Sequence, residues 1–310
     1  MVIIVKNKLY IVKEIDMIHI TVCICTFRRP EFLGYLLEKL KNQITKNKFS
    51  YSLLIVDNDL HESGRQVVED FRRNTIVTIN YYVEPEQNIA LARNMAVKNA
   101  IGEFIVFIDD DEFPNPRWLF DLYAAYLEYE ADGILGPVLP YYLHTPPKWI
   151  TEGRFHERPS HTSGTVLQWT ETRTGNVLLR RELFDDNDEP FKATFGRGGE
   201  DRDFFRRMID KGCRFVWCEQ AAVFEVVPPG RCKRFFMLKR ALLRGKTPYN
   251  QNIKAYLVSL AAIPLYILAL PFLFFIKHYL FMKYLVKCFD HIGRILNALG
   301  INVIKDKYIT

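Results

Sequence analysis

The sequence predicts an α/β layered sheet followed by an apolar helical tail, and three observations carry that reading. Short, β-branched apolar runs alternate with helical patterns four times between His19 and Glu130. Polar residues collect where those runs end. Near the C-terminus, residues 255–276 form a run of 22 residues without a charge. The chain of 310 residues is 49% hydrophobic and 25% charged, which excludes wholesale disorder and leaves enough apolar material for a sizeable core.

The first strand is expected at His19–Thr26 (HITVCICT). Pro30 then opens a helix with Phe32, Leu33, Leu36, Leu37 and Leu40 on one face. A second buried strand at 51–56 ends in Asp57-Asn58-Asp59. A helix over 62–73 and a third strand over 77–83 follow. Residues 88–100 read as a helix closed by Gly102. The fourth strand, 103–108, ends in Asp109-Asp110-Asp111-Glu112, and 115–130 is helical again. This alternation implies parallel strands joined by right-handed crossovers. Ligands of such sheets sit beyond the carboxyl ends of the strands. Thr26, Asp57 and Asp109–Asp111 fall at three such ends.

From 133 onward the pattern loosens, with Pro137, Pro140, Pro146, Pro147 and Pro159 marking a loop-rich stretch. Strands are expected at 165–171, 176–180, 214–218 and 221–226. A helix is expected from Gly199-Glu200-Asp201 to Lys211, closed by Gly212. The organisation is then an N-terminal extension (1–17), an α/β unit (18–230, in halves 18–112 and 113–230) and a tail (231–310). The apolar run of the first five residues is broken by Lys6 and Lys8, unlike a signal peptide, and Met17 is an alternative start.

Charge is unevenly spread. The net charge is +6, yet residues 228–310 hold 14 basic and 2 acidic residues, so residues 1–227 carry −6. This argues against a nucleic-acid partner and suits a tail that meets an anionic surface. The six cysteines contain no C-x-x-C pair, and Cys23 and Cys25 share one strand face. Reduced thiols, as in a cytosolic protein, are expected. Seven histidines show no metal-ligand spacing.

Three adjacent carboxylates repel one another. In extended chain, side chains i and i+2 point the same way, so Asp109 and Asp111 can converge on one ligand while Asp110 points elsewhere. Oxygen ligands suit Mg²⁺ or Mn²⁺, which takes one or two carboxylates plus substrate phosphates. A solvated acidic turn is the plainer alternative, but the position after a buried strand favours the cation. At the other acidic motif, Phe204, Phe205, Met208 and Ile209 form the helix's apolar face, so Asp201 is expected to lean toward the protein body. Simple capping by Glu200 and Asp201 is the alternative there. Trp149 and Trp169 could stack on a sugar, but packing is the plainer reading.

Six motifs occur in order: TVCICTFRRP (21–30), IVDN (55–58), EQNIALARN (86–94), IDDDE (108–112), TGNVL (174–178) and GGEDRD (198–203). This succession resembles the inverting nucleotide-sugar glycosyltransferases of family 2, with the GT-A fold, and especially bacterial members that build exopolysaccharide or cell-surface glycans. The resemblance covers residues 19–245 and implies a GT-A-type, Rossmann-like mixed sheet flanked by helices. It also implies roles. Thr26, Phe27 and Arg28 would line the nucleotide pocket, Asp57 would receive the base's ring N–H, and Arg93 would lie beside the nucleotide. Asp110 is grouped with these donor-side residues. Asp109 would approach the ribose and Asp111 the metal that bridges the diphosphate, with Asp109 as a second ligand. Asp201 is the expected general base and Glu200 its rival. Asn88 stands where many members have Gly. Glu225 stands where many have a metal-holding His, and Glu can also bind Mg²⁺.

The chemistry suits these residue types. A cation on the diphosphate offsets the leaving group's charge, a carboxylate takes the acceptor's proton, and no Ser/His/Asp or Cys/His signal suggests a covalent nucleophile. The implied donor is a nucleoside-diphosphate sugar, with uridine diphosphate the expected carrier, and the acceptor is a glycan or a lipid-linked sugar. A nucleotidyltransferase would want a glycine-rich loop after the first strand, which TFRRPEF lacks. A non-catalytic assembly subunit would not need Asp109, Asp111 and Asp201 together.

In the tail, Arg231, Lys233, Arg234, Lys239, Arg240, Arg244 and Lys246 cluster ahead of the uncharged run. That run would reach roughly 33 Å as a helix, enough to cross a bilayer core. Residues 277–299 read as an interfacial amphipathic helix. Basic residues flank the run on both sides, so a span and a hairpin dipping into the cytoplasmic leaflet fit equally. A buried helix pair is the soluble alternative. The expected location is the cytoplasmic face of the plasma membrane.

Overall fold

The computed structural model describes residues 2–5, 8–11, 17–185, 188–196, 198–244, 253–301 and 304. Lys246, part of the expected basic cluster, lies outside the described residues. Within the expected N-terminal extension, β1 (Val2–Val5) and β2 (Lys8–Ile11) pair as an antiparallel hairpin.

The first four expected strands are β3 (His19–Thr26), β4 (Ser50–Asp57), β5 (Ile79–Val83) and β6 (Phe104–Phe107). They lie parallel in the order β6-β3-β4-β5. Helices α1 (Pro30–Leu40), α2 (Arg65–Arg73) and α3 (Ile89–Asn99) connect them. Pro30 presets the first turn of α1, which buries Leu33, Leu36, Leu37 and Leu40. Asn88 caps α3, its side-chain oxygen accepting from Ala90 N–H at 3.0 Å.

Period-two alternation sorts β3 between two cores. Ile20, Val22 and Ile24 pack under α1 and α4 (Trp118–Tyr129). Cys23 faces the opposite layer with Leu54, Val56, Ile105 and Phe107, covered by α3 and α6 (Glu200–Asp210). All six cysteines are unpaired thiols.

The irregular half completes the sheet rather than forming a separate layer. β10 (Val177–Arg180) runs antiparallel between β6 and β8 (Gly133–Leu135), and β11 (Phe215–Trp217) pairs parallel with β8. The sheet is therefore mixed and, among the described residues, seven-stranded. The sequence left β8 unread, and also three elements with a proline in or just before them: β7 (Glu112–Pro114), β9 (Val138–Tyr142, with Pro140) and α5 (Lys148–Glu152, after Pro147). β7 and β9 are the edges of a small sheet around β12 (Val223–Val227), where a missing N–H is tolerated. The strand expected at 165–171 reduces to one bridge, Val166 to Val216, because the chain turns back at Gln168–Glu171.

The tail forms α7 (Arg234–Arg244), α8 (Ile253–Ile276) and α9 (His278–Ala298). Met237 and Ala241 of α7 and Met282 and Val286 of α9 share a core with Trp149, Ile150, Val227 and Cys232. A Cβ at Gly293 would meet the Leu242 backbone, so α7 and α9 cross in close contact. The boundary expected after residue 230 thus falls inside a packed unit. In α8, by contrast, only Ser259 is buried, and Leu265, Leu268, Phe272 and Phe275 are mostly exposed. It is long and apolar enough to cross a membrane, at about 36 Å.

The TGN motif acts as a bracket. Asn176, fully buried with φ +61°, accepts from Trp118 Nε1–H at 2.7 Å and donates to the carbonyls of Pro137 (2.9 Å) and Ala221 (2.8 Å). It ties α4, β9's approach and β12's approach to β10. Asn176→Ala strands all three partners and is expected to cost on the order of 3 kcal/mol, read as a lower midpoint in urea unfolding. A midpoint equal to that of the unsubstituted chain would contradict this role.

Candidate active site

The carboxyl ends of β3 and β6 open into a cleft of about 370 Å³, with Thr26, Phe27, Asn58, Arg93 and Asp109–Asp111 in its walls. The acidic turn is closed by Glu112 N–H donating to the Asp109 carbonyl at 3.1 Å. Val226 N–H donates to the Asp111 carbonyl at 2.8 Å and pins the turn to β12. Gly175 lies against it: a Cβ there would stand 2.9 Å from Glu112 Oε1 and 3.0 Å from Asp109 Oδ2.

Guanidiniums from separate parts of the chain hold the carboxylates. Thr26 Oγ1–H donates to Asp110 Oδ2 at 2.8 Å, and Arg29 Nη1 donates to Asp110 Oδ1 (3.0 Å) and Asp111 Oδ2 (3.3 Å). Arg231 bridges Asp111 Oδ2 and Glu225 Oε1, both at 3.0 Å. Arg158 donates to Glu225 Oε2 at 2.5 Å. Arg93 pairs with Glu200 and lies 3.7 Å from Asp109 Oδ1.

Several expected residues meet in this cleft: Thr26, Phe27, Arg93, Asp109, Asp110, Asp111 and Glu225. Asp110 does not point away from the cleft as the extended-chain argument required, because the turn rotates it onto Thr26 and Arg29. Arg28 has φ +54°, and its largely exposed side chain pairs with Asp59. Asp57 is fully buried and set apart from the cleft lining. Its oxygens accept from Asp59 N–H (3.1 Å), Gly64 N–H (2.6 Å) and the Tyr81 hydroxyl (2.8 Å), so they staple the strand end. Glu200, not Asp201, turns into the protein body. Glu200 is buried and pairs with Arg93 on α3, while Asp201 is only half-buried. Asp201 instead lines a neighbouring cavity of about 330 Å³ with Arg158, Arg173 and Arg202.

Sequence reasoning missed Arg29, Arg158, Arg231, Arg240 and Glu112. Arg29 stands in the TFRRP motif beside the residues that were chosen. Arg231, Phe236 and Arg240 line the cleft, although composition assigns their stretch to a membrane-facing tail.

Burial raises the carboxyl pKa values here. Asp110 is pushed up to about 6, with burial outweighing Arg29 and the Asp111 charge adding to it. Burial also lifts Glu200 to about 7, with Arg93 opposing and Asp201 adding. Glu112 is held well above the usual carboxylate range by burial and then by Asp109. Its Oε1 has no hydrogen-bond partner among the described residues.

The turn leaves room for a cation at its least engaged acid, Asp109. Among the described residues no three acids, histidines or cysteines converge as a self-sufficient cage. Mg²⁺ or Mn²⁺ does not need one, since it takes one or two carboxylates and completes its shell with phosphate and water. Asp109, with 45% of its side chain exposed and one loose ion pair, would hold it with Asp111, whose Oδ2 already accepts from Arg29 and Arg231 and whose Oδ1 is left for an ion. Glu225 has both oxygens engaged by arginines and is less available.

Comparison with known proteins bears on the family and the fold. Residues 21–187 match the profile described as glycosyl transferase family 2. Succinoglycan biosynthesis protein ExoM of Rhizobium meliloti is 35% identical over 238 residues, covering 75% of this chain and 74% of that protein. Chondroitin synthase of Escherichia coli is 22% identical over 90% of this chain but only 45% of its own length. The crystal structure of Staphylococcus aureus TarS (residues 1–349) superposes with a TM-score of 0.51 at 21% identity, covering 74% of this chain and 66% of that one. The mannosyltransferase PcManGT of Pyrobaculum calidifontis, in complex with GDP-Man and Mn²⁺, superposes with a TM-score of 0.61 at 15% identity, covering 91% and 87%. With its strand-end acidic turn, mixed sheet and matched motifs, the chain is a glycosyltransferase and belongs to family 2 of those enzymes.

Proposed function

We propose that this enzyme moves a sugar from a nucleoside-diphosphate donor to a hydroxyl of a glycan or lipid-linked acceptor, with inversion, in surface polysaccharide synthesis. The observation that carries this reading is the side-by-side placement of the Asp109–Asp111 cleft and the Glu200–Asp201 corner, joined by Arg93. The relatives support the substrate class. TarS has been crystallised with UDP and with UDP-GlcNAc, PcManGT with GDP-Man, and ExoM is named for succinoglycan biosynthesis.

Phe27 and Asn58 are placed to meet the nucleoside, and Asp109 and Asp111 to hold the cation. A bound divalent ion would offset the charge that grows on the departing diphosphate. Arg29, Arg231 and Arg240 border the same space and present guanidiniums to phosphate oxygens. Glu200 keeps Arg93 in place. Asp201, on the far side, takes the proton from the attacking hydroxyl. Attack from that side, opposite the leaving diphosphate, inverts the anomeric carbon in one displacement.

The exposed apolar α8 is read as a membrane seat, with Lys254 and Lys277 at its ends. Because α9 packs on α7 and α7 walls the cleft, the seat holds the active site near the lipid surface, where a lipid-linked acceptor would be found.

Incubation with a panel of nucleotide sugars and Mn²⁺ is expected to release nucleoside diphosphate. Pyrophosphate release would indicate a nucleotidyltransferase, and neither product a non-catalytic subunit. In donor titrations, Asp111→Ala is expected to abolish both transfer and metal-dependent nucleotide binding. Asp201→Ala is expected to abolish transfer while donor binding persists, and normal turnover in that variant would move the base role elsewhere.

Stability of the metal-free protein should depend on pH. Folded-state values of about 6 for Asp110 and about 7 for Glu200 lie above their ordinary values of 3.8 and 4.5. The folded chain therefore takes up protons first. Its stabilisation is complete below about pH 4 and is lost as pH rises through about 7. The melting temperature should climb as pH falls from 8 to 5, and a flat or inverted profile would contradict the burial of these acids. For the tail, Leu268→Asp with Phe272→Asp on α8 should cut flotation with anionic vesicles at least about tenfold. This pair spares α9, whose deletion would open the core beside the cleft.

A further inference from the structure

We infer that the cavity beside Asp201 is a subsite for an anionic group of the acceptor, a sugar carboxylate or a phosphoryl, held by Arg173 and Arg202. The inference rests on the glycosyl-transfer reading and specifies its acceptor. The cavity, about 330 Å³, lies across the Arg158–Glu225 ion pair from the donor cleft. Three guanidiniums reach it, from Arg158, Arg173 and Arg202. Arg158 is engaged by Glu225. Arg173 and Arg202 make no ion pair among the described residues, and Arg173 Nε is buried without a hydrogen-bond partner. The Arg173 guanidinium is backed by the Trp217 ring, 6.0 Å from its centroid, an apolar wall that supplies no acceptor.

No acid pairs directly with Arg173 among the described residues, and Glu112, Glu225 and Asp201 act on it only at longer range. Glu171 accepts from Gln168 N–H at 2.9 Å and faces His161 Nε2 at 3.4 Å. Asp201 accepts from the Arg202 backbone N–H at 2.7 Å and is the proposed base. Burial, and then the like charge of Arg158, lower Arg173 to about 10. A buried cation without a partner is costly, and an incoming anion relieves that cost. Because the base and the guanidiniums share one small cavity, the charge must sit on the acceptor's terminal sugar or on the unit joined directly to it. A uronic acid at the chain end and a lipid-diphosphate monosaccharide share that chemistry.

The test compares three acceptors: a glycan ending in a uronic acid, its neutral hexose counterpart, and a monosaccharide on a lipid diphosphate. The unsubstituted enzyme should favour one charged acceptor over the neutral one in kcat/KM by at least about tenfold. That ratio should collapse in Arg173→Gln and Arg202→Gln and recover in part in Arg173→Lys. Preference for the uronate or for the lipid diphosphate identifies the source of the charge. No charged preference, or equal loss on charged and neutral acceptors, overturns the proposal. A second measurement needs no donor: calorimetric titration with glucuronate and with inorganic phosphate. Binding weakened at least about tenfold in Arg173→Gln supports the subsite, and no binding of either anion overturns it. If no donor releases nucleoside diphosphate, the transfer reading falls, and this titration alone decides the anion site.

Discussion

Everything at the site depends on a chain of alternating charges that runs from Arg29 through Asp110 and Asp111 to Arg231, Glu225 and Arg158. Four acids in succession at a buried strand end would drive the turn apart unless cations met them. The cations come from the loop after β3, from α3, from the loop after α5 and from the segment after β12. Stripping one partner from such a buried pair leaves an uncompensated charge, typically a loss of about 3–5 kcal/mol. The acidic turn therefore takes its shape only when distant parts of the chain have docked, and assembling the fold and assembling the site are one event.

The same network ties the tail to the chemistry. Arg231 and Arg240 lie in the basic stretch that composition alone assigns to a membrane, yet both stand at the cleft. The packed unit of α5, α7 and α9 explains how one stretch of sequence serves both ends. The α7 helix turns Phe236 and Arg240 toward the cleft and Met237 and Ala241 toward α9, and α9 in turn carries the exposed α8. The cleft and the exposed apolar helix are thereby linked through α7 and α9.

Reading residues in sequence worked best where the physics is local. Apolar runs of β-branched residues located β3 to β6 within a few residues, because a buried strand leaves a dense hydrophobic signature. It was patchier in the Pro-rich half: β10, β11 and β12 were legible, but β7, β8 and β9, three to five residues long, depend on neighbours rather than propensity. At the site, the carboxylates were legible because clustered acids are rare. Their arginine partners were not, since Arg29, Arg158 and Arg231 carry no local mark that separates them from solvent-exposed arginines. Asp57 shows the same limit from the other side. A strand-end acid looks like a ligand group, and its structural partners Gly64, Asp59 and Tyr81 come near only in the folded chain.

The amino-acid order by itself determined the α/β layering, the strand that ends in the acidic turn and the uncharged helix near the C-terminus, because these arise from hydrophobic periodicity within a few turns or one strand. Tertiary structure alone decided which acids face the cleft, that Glu200 rather than Asp201 turns inward, and that part of the basic tail walls the active site. Those outcomes depend on charge pairs between residues up to 120 positions apart, and contacts of that span leave no periodic trace in sequence.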